Sequence, residues 1–338
     1  MCARPSETSR EVTTPSVRVG KIRPAMFADV HPLLREFNPR LGESTWRQIF
    51  DPPWETGEDY CGYGLFDDHR VVGFLGLIFS RRTIDDRVER FCNLTAWYVR
   101  AEYRAHSLSL ILPVLRLRDH TVTDLSPSSD VVRISRRLGF ETLDSSVRLL
   151  LPVPGWVPIP RSSPAIFFDK AEITARLTED ETLLGRDHAD LPFCHQMLVD
   201  TGSARCLIIY TVAHDTSRPY CHVHHVGNQE IFATHGIAIS RAIARESGVW
   251  MQVVDPRLVK ARRPPMSVEL PPRHVKLYRS RTLGPEQIDN LYSELVLLDI
   301  RTANSLERLG PRALRLAGKS LADRARSIGT RRERTHTQ

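Results

Sequence analysis

Several things are missing from this 338-residue chain, and each omission removes a class of protein. No apolar run approaches the ~20 residues that a helix needs to cross a bilayer. The N-terminal stretch MCARPSETSREVTTPS has no apolar centre, so a secretory signal is not expected and the cytoplasm is the expected compartment. The six cysteines (Cys2, Cys61, Cys92, Cys194, Cys206 and Cys221) form no CxxC pair. They read as small buried hydrophobes in a reducing compartment rather than a disulfide framework. Asn93-Leu94-Thr95 fits a glycosylation triplet, but nothing routes the chain through a secretory pathway. Excess charge is also missing from most of the chain. The net charge is +7, yet the segment from Arg301 to Gln338 holds ten Lys and Arg against three Asp and Glu. The rest is therefore neutral, which argues against a nucleic-acid-binding surface on the folded part. The tail is left as a solvated segment or a contact for anionic lipid or RNA.

What is present is a globular composition, 41% apolar and 26% charged, in a chain long enough for two domains. Residues 1–16 are rich in Ser, Thr, Pro and Arg and are expected to be disordered. A first domain is expected over 17–153. Residues 17–22 alternate as a strand, and 26–37 carry helix-spaced Phe27, Val30, Leu33 and Leu34, with Pro32 predicting a kink or break. A second helical piece with Trp46, Ile49 and Phe50 stops at Pro52-Pro53. Residues 60–66 and 70–79 read as a hairpin turning at Asp67-Asp68-His69, followed by a charged loop over 81–90. A strand over 147–153 closes this domain, and 154–165 is a proline-rich linker. Over 166–300 a similar order returns as an internal repeat of pattern, not of identity. Strands are expected at 206–212, 220–226, 249–254 and 274–278. One helix is expected over 230–245 before Gly248, and a last one from Pro285 with Ile288, Leu291, Tyr292 and Leu295 on its apolar face. The basic tail is 301–338.

The stretch from Phe91 to Leu115 organises the first half. Residues 91–99 are apolar, aromatic and β-branched, and a leucine-rich run from Ser107 is expected to be helical, with Pro113 predicting a kink or a late start. A strand that bends tightly into a helix aims several backbone N–H groups at one point, an anion site. Val99-Arg100-Ala101-Glu102-Tyr103-Arg104, followed by Ala105-His106-Ser107-Leu108-Ser109, resembles the acyl-CoA loop of the GNAT superfamily of acyltransferases. In that family the strand binds the pantetheine arm and the loop amides hold the pyrophosphate. Arg104 matches the opening position, while Ser107 and Ser109 stand where glycines are usual. The strand ending at Ser126-Pro127, the helical residues Val131, Val132, Ile134 and Leu138, and Gly139-Phe140 resemble the second half of such a domain.

The resemblance implies an α/β (α+β mixed-sheet) fold of two tandem GNAT-like acyl-CoA acyltransferase lobes. The second is degenerate, since it has no R-x-x-G-x-G. It further implies acyl-CoA as co-substrate without a metal, bound by Tyr98, Val99, Arg104, Ala105, His106, Ser107, Leu108 and Ser109. The tandem layout and the N-L-x-x-W-Y-V strand are similar to acyltransferases of bacterial polysaccharide synthesis, which implies an amine or hydroxyl acceptor, small or sugar-linked.

The catalytic groups such a domain usually carries are missing. The position of the usual tyrosine acid is Ser135, and residues 91–99 hold no carboxylate, only Asn93, Trp97 and Tyr98 with Glu89 just outside. Asp187-His188 remains a candidate, in a stretch read as a loop, because a carboxylate can orient an imidazole base. Cys221-His222-Val223-His224-His225 has a metal-like composition. Strand rise, however, separates its first and second histidines by about 7 Å, and no further ligand follows at a fitting spacing. Two alternatives to an acyltransferase are a non-catalytic acyl-CoA-binding module and a binder of anionic surfaces through the tail.

Overall fold

The computed structural model describes residues 17–301 except 144–145, 152, 154–156, 158–162, 215–218, 260–263, 265 and 272–273. The N-terminal segment 1–16, most of the linker and the basic tail beyond 301 lie outside the described residues.

The chain begins with β1 (Val17–Ile22), then α1 (Phe27–Phe37) and α2 (Glu43–Phe50). Helix α1 runs through Pro32 without a break: Phe27, Val30, Leu33 and Leu34 are all buried on one face, and that packing outweighs one lost backbone bond. Strands β2 (Gly62–Asp67), β3 (Arg70–Ile84) and β4 (Arg87–Val99) form a meander. The charged loop expected over 81–90 is instead the tip of the β3–β4 hairpin. Asp85 and Asp86, with φ of 50° and 62°, make a two-residue turn of the type that matches strand twist.

After β4 the expected α-helix does not form. Residues Ala101–Leu110 and Val114–Arg116 wind as 3-10 turns. Ser109 Oγ donates to the His106 carbonyl at 2.6 Å, and Pro113 lacks the N–H that would continue a helix. Strand β5 (His120–Asp124) follows, then α3 (Ser129–Arg137), capped by the Ser128 hydroxyl, and β6 (Glu141–Leu143).

The second half comprises β7 (Val147–Leu150), β8 (Ala165–Phe167), α4 (Lys170–Thr174), α5 (Glu179–Ala189), β9 (Cys194–Asp200), β10 (Arg205–Ala213), β11 (Tyr220–Val226), α6 (Gln229–Thr234), α7 (Gly236–Ser247), β12 (Met251–Val254), β13 (Ser267–Leu270), β14 (Lys276–Arg279) and α8 (Glu294–Leu297). Three expectations change here. The stretch holding Asp187 and His188 is helix α5, started by a capping box between Thr178 and Glu181. The single helix over 230–245 breaks at His235, ahead of the poor helix former Gly236. The last helix shrinks to one turn, because Asp289 is drawn into a buried ion pair with Arg82 and Asn290 into a buried hydrogen bond to Asp255.

The strands form two seven-stranded mixed sheets, β1-β2-β3-β4-β5-β14-β6 and β13-β7-β12-β11-β10-β9-β8. Each runs as an antiparallel meander into one parallel pair, β4–β5 in the first and β11–β12 in the second. The last strand of each half crosses over. Strand β14 pairs with β5 and β6, and β7 pairs with β12 and β13. Residues 147–150, expected to close the first domain, therefore lie in the second sheet, and the sheets do not follow the division at 153–166. One apolar cluster joins α1 and α2 to the second sheet, with Trp54, Phe74, Leu198, Leu207 and Tyr292 among its members. Among the described residues, no helix is long and apolar enough to cross a membrane.

Candidate active site at the splay of the first sheet

The parallel pairing of β4 with β5 runs from Arg90↔His120 to Asn93↔Thr123 and stops there. Beyond that point the strands diverge, and β4 is bent by a bulge. Gly76 pairs with Thr95 and Phe74 with Tyr98, so Ala96 and Trp97 together oppose Leu75. Ala96 adopts φ +48°, a left-handed conformation that costs an alanine free energy and tends to mark functional positions. The divergence opens a cavity of about 290 Å³. Its walls are residues 94–97 of β4, Asp124 and residues 126–128 after β5, Phe37 and Trp46 from the first two helices, and Glu294, Leu298 and Ile300 from the C-terminal segment.

Two buried carboxyl groups, Asp124 and Glu294, line this cavity. Burial and the neighbouring Glu294 raise the Asp124 carboxyl well above the usual range, and only the Ser126 backbone N–H opposes this. Burial pushes Glu294 from its ordinary 4.5 up to about 7. Its Oε1 accepts from the Ser126 hydroxyl at 2.6 Å, its backbone N–H donates to Asn93 Oδ1 at 3.2 Å, and its Oε2 has no hydrogen-bond partner among the described residues. Asn93 is fixed in turn by Nδ2 donating to Thr123 Oγ1 at 3.0 Å. Paired carboxyls of shifted acidity in a cleft mark a site for proton transfer. Sequence reasoning missed both. Asp124 carried a usable signal, an acid at a strand end just before Ser126-Pro127. Glu294 lies about 170 residues further on, and only folding brings it here.

The residues expected to bind CoA sit beside this cavity rather than in its wall. Tyr98 and Val99 continue β4 from Trp97, with Tyr98 Oη donating to Glu36 at 3.3 Å. Residues 104–109 lie in the 3-10 run, where Arg104 and Leu108 are exposed and His106, Ser107 and Ser109 half-buried. The run is anchored by Tyr103 Oη on Asp67, at 2.5 Å, and by a bidentate Arg100–Glu36 pair. Ser135 is fully buried in α3, facing the core.

Asp187 and His188 are not brought to the cavity. Tyr292 donates to Asp187 at 2.9 Å, while His188 shares its Nδ1 proton with the Leu184 carbonyl at 2.9 Å and stacks on Trp54. Burial drops His188 to about 4, so its ring is a neutral core group, and Asp187 does not orient it. The histidines of β11 differ from expectation in spacing. A bulge at His224 brings the rings of His222 and His224 to 4.3 Å between centroids. Burial lowers both, and among the described residues no group of three or more His, Cys, Asp or Glu is placed to hold a metal.

The second sheet has its own divergence, after Val223↔Val254, and it is plugged. Asp255 there accepts from Arg257 at 2.8 Å, Lys276 at 2.6 Å and Asn290 at 2.9 Å, all buried. Beside it Arg82 clamps Asp289 at 2.6 and 2.8 Å, and His225 Nδ1 donates to the same carboxylate at 2.8 Å.

No family model matches the sequence, and no curated protein matches it. Solved structures match the fold. One is a conserved protein of unknown function from Enterococcus faecalis V583, described as a probable N-acyltransferase (TM-score 0.54, 14% identity, 78% of this chain and 72% of that one). A second is a GCN5-related N-acetyltransferase from Kribbella flavida (TM-score 0.54, 16% identity, 80% and 72%). A third is a GCN5-related N-acetyltransferase from Anabaena variabilis ATCC 29413 (TM-score 0.52, 13% identity, 78% and 72%). The class they define is a fold: this chain is a mixed α/β protein with a GNAT-like fold in two lobes.

Proposed function

We propose that the splay cavity of the first sheet is the transfer centre of an acyl-CoA-dependent acyltransferase. The observation that carries this is the coincidence, in one cavity, of a strand divergence, a bulge at Ala96 and two buried carboxyls. Acyl transfer from a thioester needs an oriented acceptor and a route for its proton, and the cavity offers both. The lobe over 17–153 takes the donor. Among the described residues no strand pairs with the β5-facing edge of β4 beyond Asn93, so its backbone, as far as Tyr98 and Val99, can hold a pantetheine arm. Residues 104–109 lie where the phosphates would emerge. Because 3-10 winding occupies amides in its own bonds, the Arg104 guanidinium and the Ser107 hydroxyl carry that contact.

The lobe over 166–300 walls the acceptor side through Glu294, Leu298 and Ile300. The acceptor is an amine or hydroxyl. A sugar-linked one suits the aromatic rings of Phe37 and Trp97 beside carboxyls that accept hydrogen bonds. One observation favours a second reading, a binder without turnover: Ser135, at the position of the usual acid, is fully buried in α3. Free thiol release decides between them. Acetyl-CoA and longer acyl-CoAs are offered with amine, alcohol and amino-sugar acceptors. Acceptor-dependent thiol release is expected, and CoA binding without release would establish the second reading.

A further inference from the structure

We propose that Asp124 and Glu294 work as one acid–base pair, Glu294 taking the acceptor's proton and Asp124 supplying a proton to the departing thiolate. This rests on the acyl-transfer reading of the same cavity. Two buried carboxyls lining one cavity cannot both ionise cheaply, so the pair holds one proton near neutrality. The surroundings decide which member is charged. Glu294 receives the Ser126 hydroxyl, its backbone is tethered to Asn93, and the Lys276 ammonium of β14 favours its anion. Asp124 receives only the Ser126 backbone N–H. The charged group acting on Glu294 is thus Lys276 from β14, Asn93 and Ser126 being neutral partners, while Glu294 itself acts on Asp124 of β5. Glu294, with the hydroxyl donor and the nearby ammonium, is the anion and Asp124 the acid.

The chemistry balances without a co-reactant. A neutral amine or a hydroxyl attacks the thioester carbonyl carbon, its C–N or C–O bond forms, and the C–S bond breaks. The acceptor proton goes to Glu294, and the Asp124 proton goes to the thiolate. The pair ends with its proton on Glu294 and resets by returning it to Asp124, the two groups being spanned by one residue, Ser126. This fills both roles left vacant by Ser135 and by the carboxylate-free strand β4.

Two measurements test it. Protein carrying ¹³C-labelled Asp and Glu carboxyls is titrated by NMR, with Asp124→Asn and Glu294→Gln assigning the signals. One carboxyl still protonated at pH 7 is expected, and two ordinary carboxylates overturn the pair whatever the activity. Kinetics then separate the roles. Glu294→Gln should lower kcat/KM about 100-fold or more with every thioester. Asp124→Asn should do so with acetyl-CoA but recover to within about tenfold of the parent with an aryl thioester, whose thiolate leaves unprotonated. Equal losses of Asp124→Asn with both donors overturn its role as acid. Ser126→Ala, which removes a donor to Glu294, should shift the acid limb of the pH profile upward without abolishing turnover. A shared proton with no transfer from any acyl-CoA overturns the transferase reading and the two roles with it.

Discussion

Asp124 and Asp255 occupy the same place in the two sheets. Each is the first residue after the last parallel pair, Asn93↔Thr123 in one sheet and Val223↔Val254 in the other. Their fates differ. Asp124 faces a cavity and another carboxyl, whereas Asp255 is neutralised by Arg257 and Lys276 and held well below the usual carboxylate range. The segment 288–298 threads between the two. The Asn290 N–H donates to the His224 carbonyl, and the Glu294 N–H to Asn93.

Lys276 belongs to a strand that crosses between the halves, so its ion pair ties the first sheet to the second lobe. Replacing it by alanine removes one of two cations from a buried carboxylate. A loss of about 3–5 kcal/mol is expected, read as a lower denaturation midpoint. Wild-type stability in Lys276→Ala would show that Arg257 alone neutralises Asp255.

Glu294 has a folded-state acidity raised from 4.5 to about 7. Between those values the folded state binds more protons than the unfolded one, so this residue's contribution falls as pH rises. Above pH 7 it costs up to about 3 kcal/mol. Glu294→Gln should therefore be close to the parent in stability at pH 5 and more stable at pH 8. Chemical denaturation at the two values measures the difference.

His188 behaves in the opposite sense. Its folded-state value drops from 6.5 to about 4, so between these limits the unfolded state takes up the proton first and stability falls on acidification. The loss approaches about 3 kcal/mol by pH 4. His188→Phe keeps an aromatic ring between Trp54 and Tyr292 and should flatten the pH dependence of the melting temperature over this window.

Arg104 is exposed at the mouth of the proposed donor path. Arg104→Ala should weaken CoA binding about tenfold, for a charge-assisted contact of ~1.5 kcal/mol, and leave the melting temperature unchanged. Calorimetry with CoA and acetyl-CoA checks this, and an unaltered affinity would remove the phosphate contact from residues 104–109.

The sequence by itself determined most of what local patterning can fix. Alternation in 17–22, the strand ending before Ser126-Pro127, the face of Phe27, Val30, Leu33 and Leu34, the stop at Pro52-Pro53 and the Gly248 terminus all appear where their chemistry puts them. The GNAT-like mixed fold was expected from the resemblance carried by residues 99–109 and by the stretch from Ser126-Pro127 to Gly139-Phe140. Tertiary structure decided the rest, for a physical reason in each case. One exception is local: the run from Ser107 has helix-forming leucines, yet the Ser109 hydroxyl on the His106 carbonyl and Pro113 hold it in 3-10 turns. The apolar period of Ile288, Leu291 and Leu295 lost to the buried Arg82–Asp289 ion pair and the Asn290–Asp255 hydrogen bond, whose partners no local window contains. The carboxyl pair was hidden for the same reason. Asp124 gains its shifted acidity only from burial beside Glu294, a neighbour supplied by the C-terminal segment of the other half.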